Sequence, residues 1–127
     1  MNALEPDELV VRVQTRLLPD DTRFGFSEIS RRAGDFAMAA AVVHFRVVSG
    51  RITDPAIAVG AVEPHPRRIP EAERILEGNP PQNDLFDGAA GACSAAVDPM
   101  DDEHIPGSYR RDLVSVVVRR ALERSFA

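Results

Sequence analysis

Cysteine, tryptophan and long apolar runs are scarce or absent in this sequence. Among its 127 residues there is one cysteine, Cys93, no tryptophan and an aromatic content of only 6%. A single cysteine cannot close an internal disulfide, which favours a reducing compartment. No apolar run approaches the roughly 20 residues that a membrane-spanning helix needs. The first residues also lack the basic and then apolar pattern of a secretory signal. The sequence therefore predicts a cytoplasmic protein with no membrane partner.

An excess of basic charge is also missing. The 15 basic side chains are outnumbered by 20 acidic ones, which gives a formal net charge of −5. Proteins that bind nucleic acid normally carry a basic excess, so this balance argues against nucleic acid as a partner. The length and the 44% hydrophobic content suffice for one modest core. We expect a single domain over residues 1–127.

The usual motifs of nucleotide, redox and metal sites are absent as well. The sequence contains no Walker A loop, no G-x-G-x-x-G after a strand-like run and no C-x-x-C pair. Residues 98–104 (DPMDDEH) are rich in acidic side chains, but they lack the glycine and the terminal glutamate spacing of an EF-hand loop. We interpret them as a solvated loop and expect no metal. Cys93 lies among small residues and is interpreted as a buried small hydrophobe.

Alternating apolar and polar residues predict the strands of a sheet. The strongest signal lies in residues 23–48, where two such runs flank a polar corner at residues 30–35. A Ser-Gly pair then predicts a tight hairpin to a third run, residues 52–62, in which Ala56, Ala58 and Gly60 give one face hardly any side chain. Such a face lets a helix, a second backbone or a flat ligand come close. Residues 9–15 (LVVRVQT) predict a further strand near the N-terminus.

Three helices are predicted after the strands, over residues 70–77, 82–97 and 108–126. The first begins at a proline, which suits the first helical position. The last has Ser108 as its predicted N-cap and carries an apolar stripe. The stripe consists of Leu113, Val114, Val117, Val118 and Ala121. Strands followed by helices imply an α+β fold, an antiparallel sheet of three to four strands with helices packed on one face.

The polar corner is the first candidate site. Arg31, Arg32 and Asp35 could hold a bend through an Arg–carboxylate bridge, or they could form the edge of an anion or cofactor site, because Arg offers a planar fork of donors. His44, on the following strand, is either a hydrogen-bonded structural residue or a general base. The second interpretation requires Glu28 or Asp35 within reach.

Five stretches of the chain together resemble one protein family. The segment FSEISRRAGDFA at residues 26–37 is similar to the "RR-x-x-D-x-A" segment of the molybdenum hydroxylase flavoproteins. AVGAV at 58–62 and PRRIPEAE at 66–73 resemble that family's "G-x-V…P-x-R-x-P-E-A-E" stretch. GSYRRDL at 107–113 is similar to its "S-x-x-Y-R-R-x-L" helix start, and ALEPDEL at 3–9 resembles its "L-x-P-x-E-L" entry. The order is the same, and nearly the whole chain is covered.

The resemblance is to the C-terminal domain of that family. It implies a module that lies against the flavin, with Arg32 and Asp35 nearest the isoalloxazine or its approach. The larger N-terminal portion, whose glycine-rich loops hold the FAD pyrophosphate, is not part of this sequence. The resemblance thus implies that the chain binds no cofactor alone and meets FAD only together with a partner chain.

Two functions follow as expectations. In the first, the chain is a stand-alone module that docks on an FAD-binding half and on the other subunits of a molybdenum hydroxylase, and completes the flavin site of that oxidoreductase. In the second, it is a repurposed isomerase or cyclase, in which a homodimer uses the vacated flavin-side pocket and Glu28, Asp35 and His44 are the catalytic residues. The substrate-binding residues predicted for that pocket are Phe24, Phe26, Arg32 and Tyr109.

Overall fold

The computed structural model describes residues 3–126 and shows a four-stranded antiparallel sheet covered by three helices. The strands are β1 (Arg23–Ser30), β2 (Ala37–Val48), β3 (Arg51–Gly60) and the two-residue β4 (Arg67–Arg68). The helices are α1 (Pro70–Leu76), α2 (Asn83–Ala96) and α3 (Gly107–Arg124). The predicted α+β class, with strands first and helices afterwards, is confirmed.

The sheet follows the order of the chain, β1-β2-β3-β4. β1 and β2 are joined through the polar corner, and their register pairs Phe24 with His44 and Glu28 with Ala40. β2 and β3 are joined by the predicted hairpin, in which Gly50 adopts a φ of +74°. That left-handed conformation suits a residue without a Cβ.

The helices all cover one face of the sheet, so the core lies between that face and α3. The apolar stripe predicted for the last helix is buried, with exposures of 7% or less. It packs against alternate residues of β2 and β3, of which Val43, Phe45 and Ile57 are fully buried. Because strand side chains alternate between faces, the residues directly before and after each of these three point to the uncovered side of the sheet.

β1 approaches α3 closely at the edge of the core. Gly25 is buried, and a Cβ placed on it would overlap the carbonyl oxygen of Ala121 and lie 2.8 Å from its carbonyl carbon. The two backbones are therefore in direct contact, without a side chain between them. Arg124 adds a hydrogen bond of 2.9 Å to the carbonyl oxygen of Phe26.

Two expectations from the sequence are wrong in detail, and one strand was not predicted. Residues 9–15 form no strand, because nothing in the described part of the chain pairs with them. The fourth strand is instead Arg67–Arg68, which pairs with β3. The last helix begins at Gly107 with Pro106 as its N-cap, so Ser108 is not the cap. The carboxylate of Asp101 accepts the Gly107 N–H instead, at 2.5 Å.

None of the three helices in the described part of the chain combines the length and the hydropathy that crossing a membrane requires.

Candidate functional site

One face of the sheet is left uncovered by the helices in the described part of the chain. Phe24 is 74% exposed, and Phe26 and Val42 are about half exposed. His44 lies opposite Phe24 on this face, whereas around Val42 the strands β2 and β3 contribute small side chains. These are Ala40, Ala56, Ala58 and Gly60. The centre of the face is thus flat and apolar, which suits close contact with a planar group or another protein surface.

The polar corner lies at one end of this face. Its turn is held by backbone groups: the Ser30 hydroxyl donates to the Arg32 carbonyl at 2.9 Å, and the Asp35 N–H donates to the same carbonyl at 3.1 Å. Among residues 3–126, no ion pair involves Arg31, Arg32 or Asp35. The interpretation as a bend held by an Arg–carboxylate bridge is therefore wrong. All three side chains are exposed and available to a partner.

A hollow of about 250 Å³ opens between the corner and the acidic loop before α3. It contains Asp35 and Arg31 from the corner but not Arg32. Phe36 also lines it and is 97% exposed, an extreme value for a phenylalanine. Nothing in the sequence singles out Phe36, because an isolated aromatic residue after a turn carries no periodic signal. The remaining lining residues are Ala37, Met38, Asp102, His104, Ile105 and Arg110.

Arg110 forms the floor of this hollow. It is only 8% exposed, and one guanidinium nitrogen donates to the carbonyl oxygens of Met38 and Ala61 at 2.9 and 2.8 Å. Its other terminal nitrogen pairs with the Asp102 carboxylate. This buried role was not predicted, although the sequence contains a signal for it. Arg110 precedes Leu113, Val114 and Val117 by three, four and seven residues, a spacing that places it on the buried face of α3.

Asp102 is held as a carboxylate in this cluster. Its Oδ1 accepts the backbone N–H groups of His104 and Ile105, both at 2.8 Å. The His104 hydrogen bond, followed by that from Arg110, lowers the pKa of Asp102 to about 2. The acidic loop is thus ordered by Arg110 and by its own backbone. In the described part of the chain, no group of three or more His, Cys, Asp and Glu side chains is placed to hold a metal ion.

His44 lies in a different hollow, of about 470 Å³, between β3 and α1. Glu73 occupies its wall, accepts the Ile57 N–H at 3.0 Å and pairs with Arg68 at 2.8 Å. Glu28, by contrast, lies opposite Ala40, four residues along β2 from His44. That separation is about 13 Å along the strand.

The predicted residues of the second hypothesis therefore do not meet within one copy of the chain. Asp35 lines the corner hollow and His44 the other, while Glu28 lines neither. Tyr109 belongs to α3, which packs on the opposite side of the sheet from Phe24. The β1–β2 register places Glu28 and His44 four residue pairs apart, and their nearness in the sequence does not reveal this separation.

Cys93 offers no nucleophile. It is fully buried in α2, and burial, together with the charges of Glu73 and Glu71, raises the pKa of its thiol to about 12. At neutral pH the side chain is a protonated thiol and contributes packing, as the sequence indicated.

Comparisons with known proteins agree with this geometry. A family model described as the CO dehydrogenase flavoprotein C-terminal domain matches residues 24–125. The nicotine 6-hydroxylase medium subunit of Paenarthrobacter nicotinovorans is 30% identical over 96% of this chain and 42% of its own length. The carbon monoxide dehydrogenase medium chain of Afipia carboxidovorans is 30% identical over 98% of this chain and 43% of its own.

A solved structure shows the same fold. Carbon monoxide dehydrogenase from Hydrogenophaga pseudoflava superposes with a TM-score of 0.81 at 27% identity, over 86% of this chain and 38% of that chain. The chain thus spans less than half the length of the relatives it matches. No relative found supports the isomerase or cyclase hypothesis.

Proposed function

This chain belongs to the CO dehydrogenase flavoprotein C-terminal domain family, and from that premise we propose that it supplies the C-terminal part of the FAD-binding medium subunit of a molybdenum hydroxylase. In this role it completes a flavin site whose larger part lies in an FAD-binding half. It acts as a structural and positioning element of an oxidoreductase and carries no catalytic residue of its own.

The uncovered face of the sheet is the observation that carries this proposal. An isolated domain gains nothing by exposing Phe24, Phe26 and Val42 together, and contiguous apolar surface of this kind marks an interaction site. Phe36 extends the same surface to the polar corner. A second protein surface, bringing a flavin with it, would bury all four side chains.

The residues present fit part of FAD and not the whole of it. The small side chains at the centre of the face admit a flat ring system, and the free guanidinium groups of Arg31 and Arg32 suit its polar edge or an anionic group. The sequence has no glycine-rich loop to receive a pyrophosphate, so that function belongs to the FAD-binding half. When bound, FAD supplies the electron-accepting chemistry.

Arg32 and Asp35 are assigned to positioning at the edge of that site. Both are exposed at the corner and are held there by the backbone of the turn rather than by each other. Arg32 presents a fork of donors with no competing carboxylate, and Asp35 presents an acceptor beside the corner hollow. They orient the bound group without taking part in electron transfer.

A fusion chain tests this function. The N-terminal portion of the Hydrogenophaga pseudoflava medium chain is joined to this chain in place of its own matching C-terminal portion, and the purified fusion chain is examined for visible flavin absorbance. We expect the fusion chain to retain FAD in near-stoichiometric amount. A folded fusion chain that is colourless, beside a yellow parent protein, would contradict the proposal.

Two variants of the fusion chain test the corner. Arg32→Ala and Asp35→Asn should each weaken FAD retention about 10-fold without changing the melting temperature, because neither side chain makes an ion pair in the described structure. Arg120→Ala, an exposed arginine on α3, is the matched control and should leave retention unchanged. Equal effects at Arg32 and Arg120 would show that net charge, not the corner, decides binding.

A further inference from the structure

An extra residue interrupts β2 where the chain leaves the polar corner. The β1–β2 register pairs Ile29 with Ala39 and then Ser30 with Ala37. Met38 thus lies opposite no residue of β1. Such an extra residue is a β-bulge, which leaves its own backbone groups outside the ladder and bends the strand. It also exchanges the faces on which the residues before it lie. The bulge at Met38 therefore sets the direction in which β2 joins the corner.

A second irregularity lies beside the bulge, at the end of β3. Ala61 follows the last residue of β3 and has a φ of +67°, a left-handed conformation that residues other than glycine rarely adopt. The β2–β3 register ends on the pair of Ala40 with Gly60, so Met38 and Ala61 lie at the same end of the sheet. Irregular backbone of this kind persists only where the surrounding structure holds it in place.

Arg110 holds both irregularities with one nitrogen. Its Nη1 donates to the Met38 carbonyl at 2.9 Å and to the Ala61 carbonyl at 2.8 Å. Asp102 engages the other terminal nitrogen, so the guanidinium is fixed from two sides. The Nε is buried and has no partner in the described part of the chain. Because burial of an incompletely paired guanidinium is unfavourable, the two carbonyls explain this placement better than complete pairing of the arginine does.

The bulge is close enough to the corner to orient it. Met38, Asp35 and Arg110 line the same hollow. From Asp35 to Met38 the chain advances by three residues, which reach at most about 11 Å. On its other side, Asp35 closes the turn by donating its N–H to the Arg32 carbonyl at 3.1 Å. Asp35 is thus held between a closed turn and the bulge, and Arg110 holds the bulge.

We propose that Arg110 is a positioning residue of the flavin site. By holding the Met38 and Ala61 carbonyls it fixes the bulge, and the bulge aims the Asp35 carboxylate at the bound group. Arg110 acts through the backbone and makes no contact with that group. This inference rests on the proposed function, since it concerns the same site, and it extends that site to a buried side chain of α3.

The coupling between two substitutions in the fusion chain tests this role. Asp35→Asn is introduced with and without Arg110→Met, and the dissociation constant of FAD is measured by titration. Each substitution alone should weaken FAD binding about 10-fold, and the two together hardly more than either one, because a carboxylate that is no longer aimed has nothing left to lose. Two independent effects would instead multiply to about 100-fold.

Leu122→Ala is the matched control for lost stability. Leu122 is fully buried in α3 and lies twelve residues, or about 18 Å, along the helix from Arg110. Its truncation should lower the melting temperature, as Arg110→Met does, but FAD binding well below that temperature should be unchanged. If Arg110→Met does not fold, Arg110→Lys takes its place, because lysine keeps the charge but lacks the planar fork that reaches all three acceptors. The same coupling with Asp35→Asn is then expected.

Amide hydrogen exchange in the free chain provides a measurement that needs no FAD. The amides of residues 35–39 should exchange about 10-fold faster in Arg110→Met than in the unchanged chain, because the bulge loses its hold. In Leu122→Ala they should exchange less than about 2-fold faster. Unchanged exchange in Arg110→Met would show that Arg110 does not fix the corner and would overturn the proposal.

The outcomes separate this proposal from the proposed function. A fusion chain that retains FAD, but in which the effects of Arg110→Met and Asp35→Asn multiply, overturns the positioning role and leaves the proposed function intact. Equal losses of FAD binding in Arg110→Met and Leu122→Ala have the same meaning, since stability alone would then explain both. A fusion chain without FAD counts against the proposed function, and hydrogen exchange at residues 35–39 still decides whether Arg110 fixes the corner.

Discussion

Replacing Gly25 by alanine should destabilise the domain strongly. The new Cβ would overlap the carbonyl oxygen of Ala121 and lie 2.8 Å from its carbonyl carbon and 3.2 Å from the Ser125 nitrogen. All three are backbone atoms of the α3 region, so no side chain can rotate to make room. β1 must move away from the helix, and overpacking of this kind costs about 3 kcal/mol, the upper end of the usual range.

Urea unfolding followed by circular dichroism measures this cost. With an m-value of about 2 kcal/mol/M, the midpoint should fall by roughly 1.5 M. Gly91→Ala is the matched control, because Gly91 lies in α2 with nothing within 4 Å of an added Cβ. It should stabilise the domain by about 0.5–1 kcal/mol, since glycine is a poor helix former. A loss below about 0.5 kcal/mol at Gly25, or a loss at Gly91, would refute the packing that we describe.

Three further predictions concern buried and paired groups. Arg110→Met should lower the free energy of unfolding in urea by about 2–4 kcal/mol, because the Met38 and Ala61 carbonyls lose their donor. Arg120→Met, on the exposed side of α3, should be nearly neutral, and equal effects of the two variants would argue against the cluster. Folding lowers the pKa of Asp102 from 3.8 to about 2, so the stability that its carboxylate contributes is present above pH 4 and is lost as the pH falls towards 2. Asp102→Asn should therefore flatten the decline of the melting temperature between pH 4 and pH 2, and an unchanged decline would contradict this. With a thiol pKa of about 12 instead of 9.0, Cys93 should be alkylated about 1,000-fold more slowly in the native than in the unfolded chain at pH 8, and rapid native labelling would contradict its burial.

Features set by local periodicity could be predicted from the sequence. The alternation in β1 to β3 and the stripe on α3 depend only on which neighbours are apolar, and both appear at nearly the predicted residues. The predicted strand over residues 9–15 failed for a different reason. A strand exists only where another strand completes its hydrogen bonds, and no sequence pattern within the segment says whether that partner is present.

The candidate site was predicted only in part for the same reason. The corner and its exposed charges follow from turn-forming residues in the sequence, whereas the cluster around Arg110 joins groups 49 and 72 residues apart. Arginine is seldom buried, so the sequence gives little reason to place Arg110 in the interior. The distance between His44 and Glu28 likewise depends on the β1–β2 register, which the corner's length alone does not fix.

The Arg110 cluster has a mechanical consequence. One guanidinium joins the start of β2, the residue after β3 and the loop that precedes α3. These three parts of the chain must therefore shift together or not at all. If a neighbouring subunit displaced the loop before α3, the start of β2 would move with it. Because Asp35 and this loop line the same hollow, the position of the polar corner is then coupled to that subunit contact.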